Sequence, residues 1–196
     1  MFARTERLLL RPSWPEDAQE LHRAIDDEAI VRNLARAPWP YSVDDARSFA
    51  TATQPVLLPN FMLMLRTDGA PRLVGSCGLG EHNGETEIGY WIARPYWGLG
   101  FATEAGRAVV RIAGALGHKR LIAGHFTDNP ASGRVLRKLG FKSTGQVEQR
   151  HSLGRGQSVA SALYEKELAP TEGEDRPMRS SFEHDMSRYL SELRAA

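Results

Sequence analysis

Three strand-like segments joined by very short turns constrain the fold of this chain more than any other feature. The segments are Phe61–Arg66, Arg72–Gly80 and Thr86–Ala93, and the turns TDGAP and HNGE separate them. Turns of this length join antiparallel neighbours, because a parallel connection needs a crossover of about a dozen residues or more. The sequence therefore predicts an antiparallel meander.

A helix and a further strand follow the meander. After YWGLGFATEA (Tyr96–Ala105), apolar residues recur on one face of a helix that is predicted to end near Leu116. His118–Phe126 is then predicted as the next strand. Two strands of one sheet that are joined by a crossover helix run parallel. The chain is thus expected to form a mixed α/β (α+β) sheet with one parallel section.

The remaining predicted elements bring the sheet to about seven strands. Ser42 can cap a helix that runs through Phe49, and Asn129 can cap a helix that ends before Gly140. The other elements are a strand at Arg7–Arg11, a helix around Pro15–Asp27, a loop at Ala35–Ser42, and strands around Ser143–His151 and Ser158–Leu168.

Residues 1–169 are predicted to form one domain, and residues 170–196 have a different character. The stretch PTEGEDRP is a polar linker, and the residues after it carry a capping box and one apolar stripe. Such a short helix is marginal alone in water, so it is expected to dock on the body or on a second subunit, which would give a homodimer.

Composition excludes several classes of function. The chain has 196 residues and a formal net charge of +1, which gives no strong field for nucleic acid or an anionic membrane. Its single cysteine, Cys77, cannot form an internal disulfide and is expected to be a small core residue. The absence of paired histidines argues against a metal site. The expected location is the cytoplasm.

The segment Gly98–Thr103 is the candidate for binding an anion. The sequence lacks a P-loop lysine and a Gly-x-Ser-x-Gly motif, and Gly98-Leu-Gly100 matches only the first part of a dinucleotide fingerprint. Small residues at a strand-to-helix turn let a phosphate approach the free N–H groups of the helix. The same residues also suit a tight turn packed on its own sheet, and the spacing alone does not separate these two readings.

The chain resembles the GNAT superfamily of acyl-CoA N-acyltransferases, and within it the RimJ/RimL-like ribosomal-protein N-acetyltransferase group. The resemblance covers about Thr5 to Leu168. Trp97 stands where the wider superfamily usually has Gln or Arg, as is usual in the RimJ/RimL-like branch. The matching segments are, in order, TERLLLRP, PYSVDDARSF, EIGYWIARPYWGLGFATEA, LIAGHFTDN and NPASGRVLRKLGF.

The resemblance implies a sheet that is splayed at its middle, flanked by helices on both faces, with acetyl-CoA as co-substrate in the gap. The pantetheine would pair with the backbone near Trp91–Ala93, and the pyrophosphate would meet the N–H groups of Leu99–Thr103. The residues expected at the cofactor are Trp91, Ile92, Ala93, Trp97, Gly98, Leu99, Gly100, Phe101, Ala102, Thr103, Asn129, Ser132 and Lys138.

The resemblance also implies two catalytic residues. Glu87 stands where related enzymes carry a base, although an ion-paired residue at the strand edge would fit equally well. Ser132 is placed near the thioester sulfur, where it could donate to the leaving thiolate. The expected acceptor residues are Trp39, Tyr41, Glu87 and His125. For His125, the alternative is a ring that only satisfies a carbonyl.

The expected function is direct transfer of an acetyl group from acetyl-CoA to a primary amine, in the first place the α-amine of a protein N-terminus. A small-molecule amine such as an antibiotic or a polyamine is the alternative acceptor. A CoA-binding or assembly module without catalysis is the alternative from another class.

Overall fold

The computed structural model describes residues 1–168, which form an eight-stranded sheet with the order β1-β2-β3-β4-β5-β6-β8-β7. The strands are β1 (Ala3–Arg4), β2 (Leu8–Arg11), β3 (Asn60–Leu65), β4 (Arg72–His82), β5 (Glu85–Ile92), β6 (Arg120–Phe126), β7 (Lys142–Ser152) and β8 (Gln157–Glu167). The helices are α1 (Ala18–Ile25), α2 (Glu28–Val31), α3 (Val43–Thr51), α4 (Phe101–Ala115) and α5 (Pro130–Lys138), with short 3₁₀ turns at Pro15–Asp17 and Arg94–Tyr96.

The predicted meander is confirmed. β3 pairs with β4 and β4 pairs with β5, both antiparallel, with Phe61 opposite Cys77 and Cys77 opposite Tyr90. The turn before β5 places Asn83 and Gly84 at positive φ, as the HNGE sequence favours. The turn residues therefore fix the register of the strand that carries Glu87.

The sheet opens between β5 and β6. These two strands run parallel, as predicted, and within the described residues their ladder consists of the single pair Glu87–Ile122. β6 then pairs along its whole length with β8 instead. Because no strand within residues 1–168 pairs with the rest of β5 on that side, as far as Ile92, a gap remains between the two halves of the sheet.

Helices cover both faces of the sheet and bury separate cores. On one face, α4 and α5 pack with Ile88, Ile92 and Leu121. On the other face, α1, α2 and α3 pack with Met62, Met64 and the half-buried Trp91. The alternation of side chains along β5 therefore sends Tyr90 toward the α4 face and Glu87 toward the α1 face.

The structure differs from the sequence predictions at the N-terminal end. The eighth strand, β1, was not predicted, because two residues carry no periodic signal. The helix predicted around Pro15–Asp27 is a 3₁₀ turn followed by the shorter α1, and α2 is an additional helix capped by Asp27. The helix predicted within residues 170–196 lies outside the described residues. Within residues 1–168, no helix is long and apolar enough to cross a membrane.

Candidate active site

A cleft of about 480 Å³ occupies the gap between β5 and β6. β5 and the segment that follows it form one wall, and β6 and α5 form the other. Asn33, Leu34 and Ala35, which follow α2, also line the cleft. All but two of the residues predicted to bind the cofactor line this cleft; the exceptions are Ala93 and Leu99.

The loop Gly98–Gly100 forms the mouth of the cleft at the N-terminus of α4. Gly98 and Gly100 have φ of 77° and 85°, a left-handed conformation that side chains other than glycine rarely adopt. A Cβ added to Gly98 would meet no atom of residues 1–168 within 4 Å, so that part of the chain leaves the backbone there open to a ligand. The first helical bond runs from the Glu104 N–H to the Gly100 carbonyl, which leaves the N–H groups of Phe101–Thr103 without helical partners.

Some backbone groups at the end of β5 already have hydrogen-bond partners within the protein. The Ala93 N–H donates to the Val74 carbonyl at 2.9 Å, so Ala93 faces β4 rather than the cleft. Since successive residues of a strand direct their backbone groups to opposite edges, the Ile92 N–H points into the gap. The Ile92 carbonyl accepts from the Trp97 indole at 2.6 Å. Trp97 thus anchors the glycine loop to β5.

α5 begins beside the cleft with a cap and a hydroxyl pair. The Asn129 side chain accepts from the Ser132 N–H at 3.3 Å, so its oxygen acts as the predicted N-cap. The Ser132 hydroxyl lies 2.8 Å from the Tyr90 hydroxyl, and Tyr90 also donates to the Ser132 carbonyl at 3.2 Å. Burial raises the pKa of Tyr90, so its phenol keeps its proton at neutral pH.

Two basic residues one helical turn apart lie along the cleft on α5. Arg134 and Lys138 are exposed and line it, and among residues 1–168 neither has an ion-pair partner. The third basic residue of this helix, Arg137, instead donates to the Tyr164 hydroxyl at 3.3 Å.

A second cleft, of about 460 Å³, lies on the α1–α3 side of the sheet. The two clefts share seven residues: Leu34, Ala35, Glu87, Gly89, Tyr90, Trp91 and Arg150. Tyr41 lines the second cleft, and burial, together with the Asp45 charge, raises the pKa of its phenol to about 12. Trp39, also predicted to line the acceptor pocket, is outside the lining of either cleft and is 36% exposed.

Glu87 lies where the clefts meet and is paired with Arg150 of β7. The two side chains form a bidentate ion pair, with Arg150 Nη2 donating to Glu87 Oε2 at 2.7 Å and Nη1 donating to Oε1. Their side chains are only 13% and 14% exposed. The ion pair that the sequence left open as an alternative to the base is therefore present, and it leaves Glu87 facing both clefts.

His125 contacts a backbone carbonyl, and Cys77 is buried in the core. The His125 Nδ1 lies 2.9 Å from the Phe126 carbonyl, and the ring faces the first cleft rather than the second. The carbonyl contact is the simpler of its two predicted roles. Cys77 is 1% exposed, as expected of a core residue, and burial raises the pKa of its thiol.

Tyr90 and Arg150 were missed by the sequence analysis. Their partners lie 42 and 63 residues away along the chain, so no local spacing connects them. One signal was available for Tyr90. In a strand it alternates with Glu87, Gly89 and Trp91, so its side chain points to the opposite face of the sheet from theirs, which is the α4 face. No sequence signal marked Arg150, since an arginine on an edge strand is common.

The fold defines a class of protein whose mixed sheet opens between two parallel strands, with a cleft in the opening. The family comparison agrees: residues 7–142 match the acetyltransferase (GNAT) domain. The chain belongs to the GNAT acetyltransferase family. It is an acetyl-CoA-dependent N-acetyltransferase, and its relatives are named N-acetyltransferases.

Relatives and solved structures extend this result. The uncharacterized N-acetyltransferase YoaA of Bacillus subtilis is 30% identical over 159 residues, which covers 74% of this chain and 85% of YoaA. A GNAT-family acetyltransferase from Bacillus anthracis superposes with a TM-score of 0.72 at 25% identity, covering 85% of this chain and 98% of that one. RimL, a ribosomal L7/L12 α-N-protein acetyltransferase solved with coenzyme A, has a TM-score of 0.70 at 18% identity, with 86% and 98% covered.

Acetyl-CoA fits the first cleft by the chemistry of its lining. The glycine loop and the first turn of α4 offer N–H groups and positive helix-dipole potential to phosphates. Arg134 and Lys138 add two positive charges beside the same cleft. Its lining also includes the apolar Ile88, Ile92 and Val135 and the hydroxyl groups of Tyr90 and Ser132, which suit a pantetheine arm and a thioester.

Proposed function

We propose that this enzyme transfers an acetyl group from acetyl-CoA directly to a primary amine, and that its acceptor is the α-amine of a protein N-terminus. The observation that carries the proposal is that the two clefts open on opposite faces of the sheet and meet at Glu87 and Tyr90. An acceptor in the second cleft can thus reach a thioester in the first without either ligand leaving.

Glu87 is proposed to act on the amine. An amine is mostly protonated at neutral pH, so it must lose a proton before or during its attack on the thioester carbonyl. The bidentate bond from Arg150 uses one lone pair of each Glu87 oxygen and leaves others available. Glu87 can therefore accept a hydrogen bond from the acceptor ammonium and take the proton, directly or through water, while Arg150 fixes its orientation.

The opposite side of the gap is proposed to serve the leaving group. As the new C–N bond forms and the C–S bond breaks, the sulfur leaves as a thiolate with a reference pKa of about 8.5. The Ser132 hydroxyl can donate to that thiolate. The single Tyr90 proton can turn from the Ser132 carbonyl to the Ser132 Oγ, 2.8 Å away, which directs the serine proton to the sulfur, and the Ile92 N–H remains for the carbonyl oxygen.

The charge of the second cleft supports an acceptor with a single positive charge. Its charged residues are two arginines, Arg36 and Arg150, and two carboxylates, Asp45 and Glu87. Glu87 is paired with Arg150, and Asp45 accepts from both the backbone and the hydroxyl of Ser42 in the capping box of α3. A second ammonium group, as in a polyamine or an aminoglycoside, would find no surplus of negative charge there.

The fold likeness to RimL, a ribosomal L7/L12 α-N-protein acetyltransferase, favours a protein N-terminus over a small amine. The exposed Trp39 follows Pro38, a residue of the second cleft's lining, and suits the approach of an extended chain end to that cleft.

The test is a screen of acceptors with free-thiol release as the readout. Peptides with neutral N-terminal residues are compared with the same peptides blocked at the α-amine, with spermidine and with an aminoglycoside. We expect turnover with the free peptides and at least about tenfold lower kcat/KM for the polycations. Higher kcat/KM for spermidine than for every peptide would contradict the proposed acceptor. A wild-type protein that gains no thermal stability from acetyl-CoA would contradict the acyltransferase itself.

A further inference from the structure

The turn between β1 and β2 is tied to the first turn of α4 through one carboxylate. Glu104 Oε1 accepts from the Thr5 hydroxyl at 2.6 Å and from the Arg7 N–H at 2.8 Å. Its Oε2 accepts from Arg7 Nε at 2.7 Å. Thr5 is itself fixed in the turn, since its hydroxyl accepts from the Leu8 N–H at 3.0 Å. Two segments almost a hundred residues apart in sequence thus form one rigid unit.

The Arg7 guanidinium extends from this unit to the glycine loop. Its Nη1 donates to the Leu99 carbonyl at 3.0 Å, and its plane lies over the Phe101 ring, 4.3 Å from the centroid. Leu99 stands between two glycines, so the loop has little conformational restraint of its own. Because the peptide is planar and trans, a carbonyl held toward Arg7 turns the following Gly100 N–H away from it.

The same contacts determine the net charge at the N-terminus of α4. A carboxylate in the first turn interacts well with the helix dipole, but it also repels a second anion placed there. Burial alone would raise the pKa of Glu104, yet the hydrogen bonds from Thr5 and Arg7 and the Arg7 charge outweigh it and lower the pKa. Glu104 is therefore ionised, and Arg7 is the group that neutralises it.

We propose that Arg7, held by Glu104, is a positioning residue for the pyrophosphate of acetyl-CoA. It fixes the Leu99–Gly100 peptide so that the N–H groups of Gly100–Thr103 face the ligand, and it offsets the Glu104 charge beside the phosphates. The inference rests on the proposed function of the first cleft as the acetyl-CoA site.

The experiment compares Arg7→Gln with a matched control, Arg66→Gln. Arg66 also donates to backbone carbonyls of this turn, those of Thr5 and Glu6, but its hydrogen bonds within residues 1–168 do not include the glycine loop. Coenzyme A affinity is measured by calorimetry. Transfer is measured with acetyl-CoA and with S-acetylpantetheine, a donor that lacks the pyrophosphate and the nucleotide.

We expect Arg7→Gln to weaken coenzyme A binding by about tenfold or more, as for the loss of a charged hydrogen bond. We expect the KM for acetyl-CoA to rise with it, while kcat at saturation and kcat/KM for S-acetylpantetheine stay within about twofold of wild type. Arg66→Gln should leave all of these unchanged. Equal losses with both donors, or unchanged coenzyme A affinity, would overturn the positioning role.

Arg7→Lys keeps the experiment decisive if Arg7→Gln fails to melt cooperatively. Lysine retains the charge opposite Glu104 but lacks the planar fork that reaches two acceptors at once. It should still weaken coenzyme A binding at least about threefold, and full affinity in this variant would overturn the proposal. The site itself is tested separately by the wild-type protein: equal affinity for coenzyme A and pantetheine would contradict the pyrophosphate site, whatever Arg7 does.

Discussion

At the scale of single residues, Glu87 can be both an ion-pair partner and a base. A carboxylate has about four acceptor positions, and Arg150 occupies two of them in a fixed geometry. The pair holds the side chain rigid at the junction of the clefts. Two roles that the sequence presents as alternatives are therefore compatible in one structure.

Glu87→Gln should lower kcat about a hundredfold or more, because the amide keeps the shape and one acceptor but cannot take a proton. The affinity for coenzyme A should change little. The control is Glu85→Gln on the same strand, whose carboxylate pairs with Arg120 at the surface. Steady-state kinetics with saturating acetyl-CoA measure both variants. Equal kcat values for Glu87→Gln and wild type would remove Glu87 from the chemistry.

Tyr90 and Ser132 should act as a unit. We expect Tyr90→Phe and Ser132→Ala each to lower kcat roughly tenfold, the order of one lost hydrogen bond to a developing charge. Because Tyr90 acts through Ser132, the double variant should be no slower than the slower single variant. A double-mutant cycle on kcat measures this coupling. Strictly additive losses would mean that the two hydroxyls act separately.

At the scale of elements, hairpins and capped helices were predictable and the contacts between distant elements were not. The meander β3–β4–β5 follows from turn residues at fixed positions, and α5 follows from Asn129, Pro130 and Gly140. The strand β1 was missed because two residues show no alternation. The bonds from Thr5 and Arg7 to α4 depend on the closed fold, so no local pattern reports them.

The start of α4 was the hardest segment to interpret from sequence, because the spacing alone did not separate phosphate binding from a packed turn. A single substitution there tests the two interpretations. Ala102 lines the first cleft at the second helical position, so a larger side chain there takes the place of the ligand. Ala102→Leu should weaken coenzyme A binding about 10- to 100-fold. Ala115→Leu, exposed at the other end of α4, is the control. Thermal melting with and without acetyl-CoA measures both, and equal ligand-induced shifts would argue that this turn only packs.

The two exposed basic residues that line the cleft on α5 should contribute to coenzyme A binding through long-range electrostatic attraction. Arg134→Gln and Lys138→Gln should each weaken coenzyme A binding two- to fivefold at low ionic strength, as expected of exposed charge pairs. The difference from wild type should shrink at high salt, since exposed charges are screened. Lys142→Gln, exposed on β7, is the control. Calorimetric titration at two salt concentrations measures this, and a loss that does not depend on salt would indicate a packing role instead.

At the scale of the whole molecule, the split sheet places the two clefts side by side, and in the proposed function it brings the two substrates together. β5 contributes to both clefts because its alternate side chains face opposite helical layers. The Glu87–Ile122 pair joins β5 to β6 just before the gap. In the proposed reaction, an amine bound on one face of the sheet reaches the thioester on the other face through this gap. The sequence predicted the elements of this arrangement, but the opening itself came only from the resemblance, since strand separation leaves no periodic signal.

The proposed reaction has both substrates bound at once. The alternative, a covalent acetyl-enzyme, would need a nucleophile, and Cys77 is 1% exposed with a thiol pKa raised by burial. Initial rates measured at several fixed acceptor concentrations should therefore give intersecting double-reciprocal lines. Cys77→Ala should keep kcat within about twofold while costing on the order of 1 kcal/mol of stability. Parallel lines in wild type, together with loss of turnover in Cys77→Ala, would instead place an acetyl-enzyme on the pathway and require the core around β4 to open during each cycle.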